Sequence, residues 1–267
     1  MRFAILSDIH ANLPALAAVL ADIDHRGVDD IVHLGDLVGY NSFPSETLAL
    51  VQARGIRGVH GNHDLMACGA LSVDHCGPLA RRAIEWTRGA LSPAELAYLA
   101  ALPGELRPAA GVICLHSMLG DPVGRVRGRE GFHEVSLELR RFDPQLEICC
   151  TGHTHRAGAV EIGPDGVVRH IGAALRVTPG AFWFINPGSV GQPRDSDPRA
   201  AYAVLDHESR EVAFYRVAYD DARLSRDNAR RGLADGKTPP RVTERLASST
   251  LAAARAIARF FDSARRP

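Results

Sequence analysis

Apolar positions along the chain fall into two rhythms. Short apolar-rich stretches occur at 2–7, 31–34, 56–60, 111–115 and 146–150, the third broken by Arg57 and Gly58. Runs of this length predict buried strands. Between the first three, helical spacing appears at 13–25, with Pro14 in the first turn, and at 45–54, with Ser45 as the expected N-cap. The resulting order, βαβαβ, predicts parallel strands joined by helical crossovers.

The rhythm changes at 65–104. That stretch is rich in Ala and Leu, and its spacing predicts helices over 77–89 and 93–101. Ser92-Pro93-Ala94-Glu95 opens the second with a capping-box pattern. We read 65–104 as a helical insertion over the sheet edge. Residues 158–185 alternate and carry the turn Pro164-Asp165-Gly166, which predicts antiparallel strands. Residues 201–205 and 211–217 predict a further strand pair, and 221–232 a helix. The segment 234–242 reads as a linker between a domain spanning 1–233 and a C-terminal helix within 243–267, whose Leu251, Ala254, Ile257, Ala258 and Phe261 form an apolar stripe.

Composition narrows the class without choosing the chemistry. Lys plus Arg and Asp plus Glu both total 31, so no bulk positive charge points to nucleic acid, although a nucleic-acid end stays open as a substrate. Five cysteines with no CxxC pair argue against a disulfide framework or a zinc ribbon, and for a reducing cytoplasm. No apolar run approaches the ~20 residues needed to cross a bilayer, so no membrane role is expected.

The chemistry lies just beyond the strands. Asp8 and His10 follow the first run, Asp36 the second, and Asn62, His63 and Asp64 the third. His116 follows the fourth, and His153 and His155 the fifth. In a parallel sheet the carboxyl ends of strands face one crevice, so five strand ends deliver oxygen and imidazole ligands to one place. Buried ionisable groups in such numbers need partners or metals. Mixed Asp, Asn and His ligands without thiolates suit Mn, Fe, Zn, Ni or Co.

In order, Ser7-Asp8-Ile9-His10, Gly35-Asp36-Leu37-Val38, Gly61-Asn62-His63-Asp64, Leu115-His116 and Gly152-His153-Thr154-His155 resemble the five signature blocks of calcineurin-like metallophosphoesterases. Asn186-Pro187-Gly188-Ser189-Val190 and Gln192-Pro193-Arg194-Asp195 resemble the closing signature of the small bacterial branch. The resemblance implies an α/β fold, a four-layer α-β-β-α sandwich of two mixed sheets with flanking helices. It also implies two divalent or mixed-valence metal ions. Asp8, His10 and His155 would hold the first, Asn62, His116 and His153 the second, and Asp36 would bridge both. Two cations about 3.5–4 Å apart would activate a bridging hydroxide for in-line attack on phosphorus. His63 would protonate the leaving oxygen or steady its charge. Asp64 would orient His63 or cap the following helix.

Departures from the pattern shape the substrate expectation. The large Ser/Thr protein phosphatases read Gly-Asp-x-Val-Asp-Arg-Gly at the second block, where this chain reads Gly35-Asp36-Leu37-Val38-Gly39-Tyr40-Asn41. The missing Asp-Arg pair favours a phosphodiesterase on a small nucleotide or nucleic-acid end over a phosphomonoesterase or protein phosphatase. Ser117 stands where many relatives have Gly. A non-catalytic binding module of the same fold is the reading from another class, and the full ligand set weighs against it. The C-terminal stripe leaves a homo-oligomer open.

Other polar residues have plainer expectations. His33 and His60 read as packing residues, Asn12 as a helix cap, and Tyr40 and Asn41 as lining the mouth of the site. Trp86 and Trp183 read as packing aromatics. Arg125, Arg127 and Arg129 alternate in a Gly-rich loop that reads first as a solvated charged loop and second as a phosphate clamp, with Arg194 the better clamp by resemblance.

Overall fold

A computed structural model describes residues 1–170 and 172–233. The expected linker at 234–242 and the C-terminal helix lie outside the described residues. Among those described, twelve strands form two six-stranded mixed sheets.

The first sheet begins with β1 (Arg2–Leu6), β2 (Asp30–His33) and β3 (Arg57–Gly58), which run parallel as the crossovers require. Helix α1 (Leu13–Ile23) and helix α2 (Pro44–Ala53) are those crossovers. β1 then pairs antiparallel with β11 (Ala200–Asp206), and β12 (Glu211–Val217) and β9 (Ala174–Arg176) complete the sheet. The second sheet has the order β4 (Glu105–Leu106), β5 (Val112–Leu115), β6 (Ile148–Thr151), β10 (Phe182–Asn186), β7 (Gly158–Gly163) and β8 (Gly166–His170). β5, β6 and β10 are parallel there.

The layers follow from the two-residue period of strand side chains. Along β1, Ala4 and Leu6 join a core with α1 and α2, whereas Phe3 and Ile5 face the second sheet. Along β5, Val112 and Cys114 meet the first sheet, whereas Ile113 and Leu115 pack against Val135 and Leu139 of helix α6 (Gly128–Phe142). The result is helices, sheet, sheet, helices, the expected four-layer sandwich. Both central strands are apolar on both faces because both faces are covered.

Local chemistry sets the element ends. Asn12 caps α1, its Oδ1 accepting from Ala15 N at 3.1 Å, as its place in the sequence predicts. Helix α2 starts one residue before expectation, at Pro44, and Phe43 rather than Ser45 is the N-cap. Proline's fixed φ suits the first helical turn, which draws the start forward. Helices α3 (Asn62–Cys68), α4 (Pro78–Ala90) and α5 (Pro93–Ala101) fill the segment read as an insertion. Ala67, Leu91 and Leu99 join the α1 core, so this segment packs with the sheet face. Helix α7 (Ala222–Arg230) follows β12. His33 is buried, as expected of a packing residue, and burial pushes its imidazole down to about 3. Trp183 is buried in the intersheet core.

Candidate metal centre

The carboxyl ends of β1, β2 and β3 and those of β5 and β6 open on the same side. Asp8 and His10 follow β1, Asp36 follows β2, Asn62 and His63 start α3 after β3, His116 follows β5, and His153 and His155 follow β6. All eight side chains are buried. Asp8, His10, Asp36, His153 and His155 also hold left-handed φ values between 50° and 62°. For a residue with a Cβ that conformation costs roughly 1–2 kcal/mol, and such strain collects where function demands a geometry. Five of the candidate ligand positions adopt it together.

Three imidazoles are oriented by backbone carbonyls. His10 Nδ1 lies 3.1 Å from Val38 O, His116 Nδ1 2.7 Å from Leu34 O and His155 Nδ1 2.6 Å from Gln192 O. A carbonyl can only accept, so each Nδ1 carries the proton and each Nε2 presents a lone pair. These lone pairs converge. His10 Nε2 and His155 Nε2 are 3.2 Å apart. His155 Nε2 is 3.2 Å from Asp8 Oδ1. Asp36 Oδ2 lies 3.7 Å from His10 Nε2 and 3.5 Å from His116 Nε2. His116 Nε2 is in turn 3.0 Å from Asn62 Oδ1, which also meets His153 Nδ1 at 3.0 Å. His153 is the exception, because its Nε2 faces Arg125 Nε at 3.3 Å instead of a carbonyl.

Acceptor facing acceptor is repulsive unless a cation lies between them. The donor set therefore fits metal ions, with Asp36 placed between two groups of ligands. Asp8, His10, Asp36 and His155 offer ligand atoms all within 4.8 Å of one another. Their electrostatics agree. Burial, and then the charges of Asp8 and Asp64, push the Asp36 carboxyl well above its usual range. Burial also opposes ionisation of Asp8, but His155, His116 and His10 together hold its carboxyl below the usual range. A bound cation inverts this logic and lets both carboxylates ionise.

A family model described as a calcineurin-like phosphoesterase superfamily domain matches residues 1–210. The chain belongs to the calcineurin-like phosphoesterase superfamily. An uncharacterized protein of Methanocaldococcus jannaschii is 33% identical over 224 residues, spanning 81% of this chain and 87% of that protein. The crystal structure of a metallophosphoesterase from Sphaerobacter thermophilus matches with TM-score 0.71 and 34% identity, over 96% of this chain and 99% of the other. A hypothetical protein from Pyrococcus horikoshii matches at TM-score 0.70 and 17% identity, over 88% and 94% of the two chains, a likeness of fold alone. No helix among the described residues is long and apolar enough to cross a membrane.

Within this calcineurin-like site, His63 packs against His10 and Tyr40, with ring centroids 4.8 Å and 4.7 Å away. Its backbone N–H donates to Asp36 Oδ1 at 2.8 Å. Burial, followed by the nearby His116, pushes its imidazole down to about 3, so at neutral pH the ring is uncharged. Asp64 does not reach the His63 ring. Its Oδ1 accepts from Leu37 N and Val38 N, and its Oδ2 from Gly61 N, at 2.9–3.2 Å. It caps α3 and ties that helix to the Asp36 loop, which is the helix-cap alternative of the sequence. Burial raises its carboxyl to about 7 although the backbone donors pull the other way.

Other supports lie in segments the sequence singled out, but their roles were not legible there. Ser189 Oγ donates to Asp8 O at 2.8 Å and accepts from Gln192 N at 2.8 Å, which links the closing signature to the first ligand loop. Asn186 Nδ2 donates to Gly152 O at 2.7 Å, and Asn41 Nδ2 to His10 O at 2.7 Å. Each is a polar residue bracing the backbone that carries a ligand, a role without a characteristic spacing.

A cavity of about 350 Å³ opens over the centre, lined among others by Asp36, Tyr40, His63, Arg125, Arg127 and Arg194. Tyr40 is at the mouth as expected, with its hydroxyl accepting from Arg194 Nη2 at 3.2 Å. The arginine loop is exposed, as a solvated charged loop is, but Arg125 and Arg127 also line the cavity, whereas Arg129 falls inside α6.

Close packing gives a direct test of the Asp36 loop. A Cβ on Gly61 would lie 2.1 Å from Asp36 Oδ1 and 2.3 Å from Asp36 N. Gly61→Ala should therefore displace Asp36, costing about 2–3 kcal/mol of stability and depleting bound metal. Thermal melts with and without added Mn, and metal analysis, check this; an unchanged metal content would show that the loop has room to spare.

Proposed function

We propose that this protein is a two-metal phosphodiesterase acting on a small nucleotide-type diester or a nucleic-acid end. The observation that carries the proposal is the position of Asp36, whose Oδ2 stands between His10 and His116 at 3.7 and 3.5 Å. On this reading Asp8, His10 and His155 hold one metal, Asn62, His116 and His153 the other, and Asp36 touches both. Two divalent ions bound there supply Lewis acidity and an acidified water for attack on phosphorus. Mn, Fe, Zn, Ni and Co all suit the ligand set.

The chain's own residues supply orientation and charge placement. The carbonyls of Val38, Leu34 and Gln192 fix the tautomers of three ligand imidazoles, so that their lone pairs stay on target. His63 lines the cavity beside the ligands. Being uncharged, it acts through a ring N–H that stabilises negative charge on the leaving oxygen, as a preorganised donor rather than as an imidazolium. Its backbone bond to Asp36 holds the ring in register with the bridging carboxylate. Tyr40 supports the ring from the other side.

Two features support a diester. Where a dianion-gripping Asp-Arg pair would stand, the chain has Gly39-Tyr40, with Tyr40 packed on His10 and His63. The nearest guanidinium of that region, Arg194, is shared with the Tyr40 hydroxyl and the Gln192 amide. The test is turnover of bis-p-nitrophenyl phosphate against p-nitrophenyl phosphate by metal-stripped protein, with Mn, Fe, Ni, Zn, Co and Mg restored singly. We expect the diester to be preferred by at least about tenfold in kcat/KM. A strong preference for the monoester overturns the diester reading and favours phosphomonoester hydrolysis.

A further inference from the structure

Arg125 and Arg127 have no part in the chemistry described so far, yet both line the cavity over the centre. Neither forms an ion pair with a carboxylate among the described residues, in contrast to Arg26, Arg54, Arg57 and Arg216, which do. They stand two residues apart on the loop before α6, and both reach the same cavity. Their partner across the cavity, Arg194, lies by Tyr40 and its backbone N–H donates to His155 O at 3.1 Å. Arg125 lies by His153, whose Nδ1 meets Asn62. The Arg125 guanidinium thus lies beside His153 and the Arg194 guanidinium beside Tyr40. Among the described residues, Asp36 is the only carboxylate lining the cavity.

A diester phosphoryl group carries one negative charge. Three cavity guanidiniums exceed what that group requires, in a chain whose net charge is zero. Arginines two residues apart without a carboxylate partner offer N–H donors that match phosphate oxygens. Between them and α4 the cavity wall is Val123, Cys76, Gly77 and Ala80, small or apolar groups that admit a flat organic moiety.

We infer that Arg125 and Arg127 form a subsite for a second phosphate group, so that the preferred substrate is a phosphodiester carrying a further phosphate about one sugar away. This inference rests on the phosphodiesterase reading for its chemistry, but its binding consequence does not. The second phosphate is held by charge-assisted hydrogen bonds and undergoes no reaction.

The experiment has two arms, both on the full chain loaded with Mn. The first compares the p-nitrophenyl ester of thymidine 5′-phosphate with the same ester bearing a 3′-phosphate. The added phosphate should raise kcat/KM at least about tenfold, mainly through KM. In Arg125→Gln/Arg127→Gln that ratio should fall to about one, whereas in Arg129→Gln, outside the cavity, it should persist. The second arm measures equilibrium binding of thymidine 3′,5′-bisphosphate against thymidine 5′-phosphate, which needs no turnover. The bisphosphate should bind at least about tenfold tighter to the wild type and to Arg129→Gln, with no advantage in the double variant. A wild-type binding ratio near one, or a ratio that survives the double substitution, overturns the subsite. Absence of turnover with the binding ratio intact would instead sink the phosphodiesterase reading and leave the subsite standing.

Discussion

Asp36→Asn should lower phosphoester hydrolysis by at least about a thousandfold and leave the protein with one bound metal or fewer. The substitution is nearly isosteric, so its effect isolates charge and donor geometry. In the native loop the two carboxylate oxygens have separate duties. Oδ1 accepts the backbone N–H of His63 at 2.8 Å, and Oδ2 faces His10 and His116. An amide has only one oxygen. The buried N–H of His63 needs an acceptor, since leaving it unpaired costs about 1–3 kcal/mol. The amide oxygen therefore turns towards His63, and the NH2 group turns towards the ligand lone pairs. A donor then stands where a bridging acceptor is required, and one negative charge is gone. Metal content by elemental analysis, alongside bis-p-nitrophenyl phosphate turnover over a series of Mn concentrations, reads both effects. Two tightly bound metals in the variant would remove Asp36 from the bridging position. Recovery of full activity at high Mn would make its role one of affinity alone.

Much of the fold was legible because its core strands are covered on both faces. The runs at 2–7, 111–115 and 146–150 are apolar without alternation, and each proved to be a central strand between two layers. Parallel pairing of β1, β2 and β3 followed from crossover length. Helix α6 was not legible. Its first turns carry Gly128 and Gly131 within an arginine-rich stretch, a composition that reads as loop, and only Phe132, Val135 and Leu139 mark its buried side. The sheet to which β9 belongs was also hidden. Its residues follow β7 and β8 in an antiparallel series, but Ala174–Arg176 pairs with β12 in the other sheet. Three residues carry too little pattern to choose between two edges.

The site was legible for a different reason. A strand end fixes where the following side chain points, so an ordered set of Asp, Asn and His after apolar runs already describes a spatial cluster. What the order did not contain was support. The serine hydroxyl of Ser189 and the carbonyls of Leu34, Val38 and Gln192 orient the ligands, yet a backbone carbonyl leaves no trace in a sequence. Arg125 and Arg127 are exposed, as a solvated loop requires, and they also line the cavity, which charge and glycine in that segment do not foretell. Only the return of the chain past His153 brings Arg125 to it.

His63 carries the second large expectation, and it separates from Asp36 by its metal content. His63→Ala should keep both metals, because the only His63 atom bonded to a ligand side chain is its backbone N–H, which the variant retains. Turnover should nevertheless fall by about 10²–10⁴. The loss should depend on the leaving group. If the ring N–H stabilises charge on the leaving oxygen, a diester that expels p-nitrophenolate, a good leaving group, needs that help least. One that expels phenolate or an alkoxide needs it most. The ratio of wild-type to variant kcat should therefore grow along that series. His63→Gln, which offers an amide N–H from a different position, should recover part of the loss on the poorer leaving groups. An equal loss across the series would assign His63 to substrate binding or to packing against Tyr40 and His10, whose rings it contacts at 4.7 and 4.8 Å. A variant stripped of metal would mean that the ring, through that packing, holds the ligand loop itself.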